Sequence, residues 1–379
     1  MNKEIKAAVI GASGYTGLEL LQILNRHRVI EVKLVTSGNF SGKAVNDVFP
    51  ALNNIKLDYV STGAVKEGNL SGIDVVFLCL PSLESMAFVK KHLMKYKGAV
   101  IDIGSDFRIK DADDFRNWYK EEHQLKKMLG EFVYGLPEIN AEKIKSSRYI
   151  ANPGCYPTSV LLALAPLIDK GSDRYFEITD INIDSKSGVS GAGRKLKDQY
   201  LFCSINENFY AYSPVLHRHI AEIEQEIKNI SGKEMRVCFT PHLLPVDRGI
   251  FSTIYCRPVL SGGGKTGIFT GKKRAADRNY GKQKQGIQDK AVYVARAVSE
   301  MFAQYYKNSY FVRFTGEKIP QIKDVCGTNC CLIGFAYDER TDMLKLFSVI
   351  DNLVKGAAGQ AVQNMNIIFG IDQQEGLDV

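Results

Sequence analysis

Residues Ile5-Lys6-Ala7-Ala8-Val9-Ile10 run straight into Gly11-Ala12-Ser13-Gly14-Tyr15-Thr16-Gly17 and then into Leu18-Glu19-Leu20-Leu21-Gln22-Ile23-Leu24. A short apolar strand, a glycine turn and a helical pattern in direct succession form the context in which a dinucleotide fingerprint carries meaning. Small residues let the backbone approach a pyrophosphate, and the helix N-terminus aims unpaired N–H groups at it. The spacing is GxxGxxG instead of GxGxxG, and a plain glycine turn before a helix is the alternative. Candidate cofactor contacts are Gly11, Ser13, Gly14, Tyr15, Thr16 and Gly17.

The next stretches extend the same reading. A second strand, Glu31-Val32-Lys33-Leu34-Val35, ends in Thr36-Ser37-Gly38, with Lys43 a little beyond. An NAD site usually offers a carboxylate there for the ribose 2′-hydroxyl. Hydroxyls and a lysine favour NADP, with Ser37 as the candidate contact, unless Ser37 merely closes a turn. Residues 74–82 and 99–104 read as buried strands on either side of a helical stretch, 83–97. Alternating strands and helices imply a Rossmann-type parallel sheet with its ligand crevice at the carboxyl ends of the strands. Ser82 and Arg108 fall at that edge; Arg108 is a candidate anion ligand because guanidinium matches phosphate in a bidentate fashion.

A second candidate site is Ala151-Asn152-Pro153-Gly154-Cys155-Tyr156-Pro157-Thr158, followed by the apolar run Val160-Leu161-Leu162-Ala163-Leu164. The turn formers and Pro157 predict a helix starting at Cys155, and the apolar run predicts its burial. A helix N-terminus favours a thiolate, and its N–H groups can hold an oxyanion. The alternative is a small buried hydrophobe.

Beyond it the pattern changes. Residues 178–184 alternate as a strand, and 185–195 form a glycine-rich basic loop of the kind that approaches ligands closely or is simply flexible. Its candidate contacts are Ser185, Gly188 and Gly191. His217-Arg218-His219 opens a helix on which His219 and Glu222 share a face, so that a carboxylate could orient an imidazole base. A solvated face with an incidental ion pair is the alternative. Residues 235–240 and 249–255 are strands around Pro241-His242-Leu243-Leu244-Pro245. An amphipathic helix covers 291–307. A last helix begins near Asp351, a good N-cap, and its Gly356 and Gly359 call for close packing against backbone or cofactor.

Composition bounds these readings. The 379 residues allow about two domains, and 45% hydrophobic with 24% charged residues is ordinary for a globular protein. The opening residues lack a signal-peptide core, no apolar run is long enough to span a membrane, and a cytoplasmic location is expected. The eight cysteines look like reduced thiols, and neither they nor the six histidines form a metal-ligand pattern. Net charge is +7, yet 265–290 holds eight basic against two acidic residues. That segment, within a 259–290 insertion expected to be mobile, supplies nearly all the excess, which removes the general case for nucleic-acid binding.

Taken together, the glycine turn at 11–17, Ser105-Asp106-Phe107-Arg108, the 152–158 stretch, Ser187-Gly188-Val189-Ser190-Gly191-Ala192-Gly193-Arg194, His217-Arg218-His219, Phe239-Thr240-Pro241-His242-Leu243 and the run from Asp351 to Gln360 resemble the N-acetyl-γ-glutamyl-phosphate reductase family of the aspartate-semialdehyde dehydrogenase superfamily. The 259–290 segment has no counterpart in that pattern, and Leu216 and Ala221 depart from it beside the histidines. The resemblance implies NADPH-dependent reduction of N-acetyl-L-glutamyl 5-phosphate in arginine biosynthesis, through a thioester on Cys155. It further implies His219 or His217 as acid–base, Glu222 beside them, Arg108, Ser185 and Arg218 at the phosphate or substrate, and Asn352 near the nicotinamide. The expected architecture is α/β: an NADP domain of residues 1–154 with 350–379, and an α+β catalytic and oligomerisation domain of residues 155–349 around a mainly antiparallel or mixed sheet. A homodimer or homotetramer is implied as well. Reduction of aspartyl or N-acetyl-aminoadipyl phosphate, and an NADP-binding redox sensor, are the alternatives; the basic insertion could also dock a polyanion or partner protein.

Overall fold

The computed structural model describes residues 4–260 and 280–379, with side chains from residue 290 onward in the second span. Its first sheet is parallel throughout: β1 (Ile5–Ile10), β2 (Ile30–Val35), β3 (Val75–Leu78), β4 (Ala99–Asp102), β5 (Val133–Tyr134) and β6 (Tyr149–Ala151) lie in the order β2-β1-β3-β4-β6-β5. A parallel sheet is covered on both faces, and β1 shows how. Ala7 and Val9 enter a core shared with the first helix (Tyr15–Arg26) and the last (Gly359–Ile368), while Ala8 and Ile10 enter another shared with Met86 and Phe88. The chain's last helix therefore returns beneath its first strand.

The turn after β1 is tight for a definable reason. Gly11 has φ +83°, and a Cβ on it would lie 2.4 Å from the Cys79 carbonyl oxygen. A Cβ on Gly17 would lie 2.5 Å from the Gly11 oxygen. Only glycine lets strand, turn and helix close this tightly.

The second sheet joins β7 (Glu177–Gly188), β8 (Tyr210–Ala211), β9 (Cys238–Leu244), β10 (Ile250–Val259), β11 (Val312–Gly316), β12 (Cys331–Asp338) and β13 (Met343–Ile350) in the order β11-β12-β13-β10-β7-β9-β8. Two pairs are parallel and the rest antiparallel, so the sheet is mixed. Against it lies the Cys155–Ile168 helix, in which every residue after Cys155 is buried. The helices His219–Ser231 and Tyr280–Tyr305 complete that core.

Four boundaries differ from the sequence reading, the first being the helix expected over 291–307, which runs Tyr280–Tyr305 and so begins inside the 259–290 segment. The strand expected to stop at 184 continues to Gly188, because Ser185 and Ser187 pair with β9 on one side and β10 on the other. Ladder bonds on both edges outweigh the weak strand preference of serine and glycine. Pro241 to Leu244, expected between strands, lies inside β9, where the Pro241 carbonyl accepts from the Tyr212 N–H at 3.0 Å. The helical stretch 83–97 is a short helix, Glu84–Phe88, that widens into a π-turn, Val89–Leu93. Most of the basic 259–290 segment lies outside the described residues. No described helix is long and apolar enough to cross a membrane.

Candidate active site

A cleft of about 370 Å³ opens where the carboxyl ends of β3 and β4 meet the start of the Cys155 helix. Leu80, Ser82, Gly104, Ser105 and Arg108 come from the first sheet's edge. Ser187, Gly191, Lys197, Tyr212, His217, Arg218 and His219 come from the second part of the chain.

Cys155 is the first residue of its helix, preceded by Gly154 as N-cap with no side-chain cap. Burial pushes its thiol up to about 11. Arg108 and the N–H groups at the helix start oppose that rise without cancelling it. The helix N-terminus favours the thiolate, as the sequence reading expects, but burial outweighs it. A base is close by. A Cβ on Gly154 would sit 2.5 Å from His219 Nε2 and 2.8 Å from Arg108 Nη1, so both groups press on the residue preceding Cys155. His219 is held well below the usual histidine range, first by burial and then by the His217, Arg108 and Arg218 charges. Burial and Arg218 bring His217 down to about 4. Both imidazoles are neutral acceptors at neutral pH. His217 Nδ1 accepts the His219 backbone N–H at 3.2 Å, and the two rings stand 4.7 Å apart.

The Glu222 carboxylate, expected to orient an imidazole, makes its hydrogen bonds elsewhere. It accepts from the Gly154 N–H at 2.7 Å and from the Tyr134 hydroxyl at 2.8 Å, and it pairs with Arg108 Nη1 at 3.4 Å. The i, i+3 spacing set the helix face correctly, but that face meets the loop before Cys155. Arg108 is likewise anchored: Nε donates to the Asn152 carbonyl at 2.8 Å and Nη2 to the Ile103 carbonyl at 2.9 Å. It lines the cleft as a fixed buried cation, with part of its donor fork already engaged. Arg218 is the exposed one, stacked 5.1 Å from the Tyr119 ring and donating to Ser82 Oγ at 2.8 Å.

Two further candidates are corrected. Ser185 is sealed in a hydroxyl cluster with Ser252 at 2.7 Å, which Ser159 and Ser348 extend. The longer β7 turns it away from the cleft. A Cβ on Gly188 would meet the Asp247 oxygen at 2.6 Å, so that glycine admits protein backbone, not cofactor. Asn352 is buried next to Gly191, accepting from the Gly249 N–H and donating to Ser190 Oγ. Gly356 packs directly on Cys155, its absent Cβ only 2.8 Å from Cys155 Cβ.

The glycine turn meets the requirements of a dinucleotide site. The first helix has no acidic residue in its first turn and no side-chain cap at Gly14, leaving its N–H groups open to an anion. Ser13 Oγ and Ser37 Oγ lie 2.7 Å apart at its mouth. Among the described residues no cluster could hold a metal ion.

Sequence reasoning missed Lys197, Ser187 and the tyrosines Tyr200, Tyr210 and Tyr212 that line the cleft's far wall. Tyr210 and Tyr212, two residues apart on an extended segment, share a face; that alternation was the available signal.

Comparisons with known proteins bear on this geometry. The family description "Semialdehyde dehydrogenase, NAD binding domain" matches residues 6–147. "Semialdehyde dehydrogenase, dimerisation domain" matches 155–266 and 284–352. N-acetyl-γ-glutamyl-phosphate reductase of Alkaliphilus metalliredigens is 43% identical over 99% of this chain and 98% of its own length. The protein of that name from Pelotomaculum thermopropionicum is 41% identical over 98% and 97%. Among solved structures, aspartate semialdehyde dehydrogenase II of Vibrio cholerae, complexed with ASA, aligns with TM-score 0.65 at 18% identity, covering 97% of this chain and 99% of that one. Aspartate semialdehyde dehydrogenase with NADP from Candida albicans aligns with TM-score 0.61 at 16% identity, over 96% and 98%. Likeness at that identity bears on the fold.

Proposed function

This chain belongs to the semialdehyde dehydrogenase family, and from that premise we propose that its cleft carries out the NADPH-dependent reduction of N-acetyl-L-glutamyl 5-phosphate to the 5-semialdehyde, releasing phosphate, as a step of arginine biosynthesis. The observation that carries the reading is the neutral His219 imidazole and the buried Arg108 guanidinium beside Gly154–Cys155, at the parallel sheet's carboxyl edge. Relatives named for this reaction match nearly end to end. Aspartate semialdehyde dehydrogenases are similar in fold at 15–19% identity, so the aspartyl substrate is the weaker alternative.

The residues suit the chemistry in turn. Cys155 gives its proton to His219 as the sulfur attacks the acyl carbon, because a thiol raised by burial ionises readily only when base and electrophile are both in place. The carbonyl oxygen takes up negative charge near the N–H groups of the helix start. The C–O bond to phosphate breaks, and the imidazolium can protonate the departing phosphate. Arg218 and Lys197 line its path, with Arg108 fixed beneath them. The acyl group remains on Cys155 as a thioester, with burial limiting hydrolysis. Gly11, Ser13, Gly14, Tyr15, Thr16, Gly17 and Ser37, with Ser82, Gly191 and Asn352 nearer the cleft, would hold NADP(H), which would supply the hydride that reduces the thioester. Collapse of the thiohemiacetal on Cys155 frees the aldehyde and leaves a thiolate that regains a proton from solvent. His217 keeps His219 in register.

In this reading residues 1–154 with 350–379 bind cofactor, and 155–349 carry catalysis and self-association. Ser252 and Ser348 turn toward the Cys155 helix. Phe251, Tyr255 and Phe347 alternate with them, stay half-buried, and form the face on which a second copy docks. A homodimer, or a tetramer of such dimers, working in the cytoplasm completes the reading. The test is NADPH formation from N-acetylglutamate semialdehyde, phosphate and NADP. Turnover of aspartate semialdehyde alone would overturn the substrate, and full turnover by Cys155→Ser would overturn the mechanism.

A further inference from the structure

We infer that Arg194 is the residue that selects NADP(H) over NAD(H), by reaching from the second part of the chain to the cofactor's 2′-phosphate; the inference rests on the proposed reading that this chain uses NADP(H). Three independent features converge on one spot. The mouth of the glycine turn presents two hydroxyls, Ser13 Oγ and Ser37 Oγ, and Ser37 Oγ also accepts the N–H groups of Asn39 and Phe40. The stretch from residue 34 to 46, where a ribose-binding carboxylate would fall, contains no Asp or Glu. Two cations flank the same turn: Lys43 over the Phe40 ring at 5.8 Å, and Arg194 over the Phe40 and Phe49 rings at 5.6 and 5.5 Å.

Arg194 comes from the loop that follows β7, not from the first sheet. Its Nη1 donates to the Ser13 carbonyl at 2.9 Å, which fixes the guanidinium beside the hydroxyl pair. The residue is exposed, and it enters no ion pair among the described residues. A planar fork held on two rings with donors to spare is suited to a phosphate monoester. A 2′-hydroxyl would leave that cation without an anion. The loop also carries Gly191, Ala192 and Lys197 of the cleft wall. The residue that reads the phosphate is thereby continuous with the wall of the substrate cleft.

The test is calorimetric titration of the full chain with 2′,5′-ADP and with 5′-AMP, which differ only in the 2′-phosphate. Wild type should bind 2′,5′-ADP more tightly. Arg194→Ala should lose about 10- to 100-fold for 2′,5′-ADP, the range for charge-assisted hydrogen bonds, and change little for 5′-AMP; Arg194→Lys should recover part of the loss. Equal weakening toward both ligands would overturn the inference by making Arg194 an adenine stacking partner. Unchanged affinities in Arg194→Ala would overturn it by leaving Ser13, Ser37 and Lys43 sufficient. No preference for 2′,5′-ADP in wild type would remove the NADP reading itself.

Discussion

Cys155 and His219 have ionisation equilibria that suppress charge in the resting cleft: the thiol is pushed up and the imidazole down, both chiefly by burial. Reactivity then has to come from transfer between them as the electrophile arrives. Alkylation of Cys155 by iodoacetamide in the cofactor-free protein should keep accelerating with pH toward about 11 and show no plateau between pH 7 and 9; a plateau in that range would mean a stable thiolate. His219→Asn should lower kcat by ~10²- to 10⁴-fold, the usual contribution of a positioned acid–base group. His217→Asn should cost less, since that ring supports its neighbour's backbone. Steady-state kinetics of the two variants separates the roles, and the reverse ranking would reassign the base. Cys155 and the two histidines were legible as candidates from the NPGCYP stretch and the HRH triplet, and the structure brings them to one cleft. Arg108 and Glu222 were legible as members of the site but not in their partners, because their contacts span 44 and 114 residues of sequence.

The segment that closes the chain has two functions at the scale of an element. Asp351 caps it, its side chain accepting from Leu353 and Val354 N–H, and a π-turn at Val354–Ala358 brings Gly356 onto Cys155. Gly356→Ala adds a Cβ that would lie 2.8 Å from Cys155 Cβ, so kcat should fall by a larger factor than stability. Comparing turnover with a thermal melt decides it; unaffected turnover would mean the nucleophile's helix shifts without consequence. One residue earlier, Lys355 is fully buried against Glu138 at 2.7 Å and Gln363 at 2.9 Å. Lys355→Ala leaves a carboxylate buried and unpaired, at a cost of about 3–5 kcal/mol. The double change Lys355→Met with Glu138→Leu should recover most of that in urea denaturation. The glycines' need for close packing was visible in the sequence. The particular partners, Cys155 for Gly356 and Asn329 with Val354 for Gly359, were not, because Gly356 meets Cys155 across some two hundred residues.

Over the whole molecule, the half-buried neutral histidines of the cleft make stability depend on pH with a definite sign. His217 has its folded value depressed from 6.5 to about 4, and His219 is depressed as well. An unfolded chain takes up protons at these rings before the folded one does, so their contribution is complete above pH 6.5 and is lost as pH falls toward 4. Asp102, raised to about 7 by burial and the neighbouring Asp106 charge, acts in the opposite sense as pH rises from 3.8. Melting temperatures measured from pH 6.5 to 4 should drop less in the His217→Asn, His219→Asn double variant than in wild type; equal drops would assign the acid sensitivity elsewhere. Assembly is the second molecular-scale outcome. Phe347→Asp places a charge on the half-buried sheet face and should shift the mass measured by light scattering toward the monomer.

Local patterns in this chain carry whatever depends on neighbours in sequence. The glycine turn, the parallel strands and the buried Cys155 helix all rest on periodicity and turn chemistry, which act over a few residues. Tertiary structure alone decided that Ser185 is walled off by two flanking strands, that Glu222 clamps Gly154 and Arg108, and that Arg194 crosses to the glycine turn. Each of those outcomes requires a long loop to close so that distant groups can meet, and no short-range pattern encodes where the ends of such a loop come to rest.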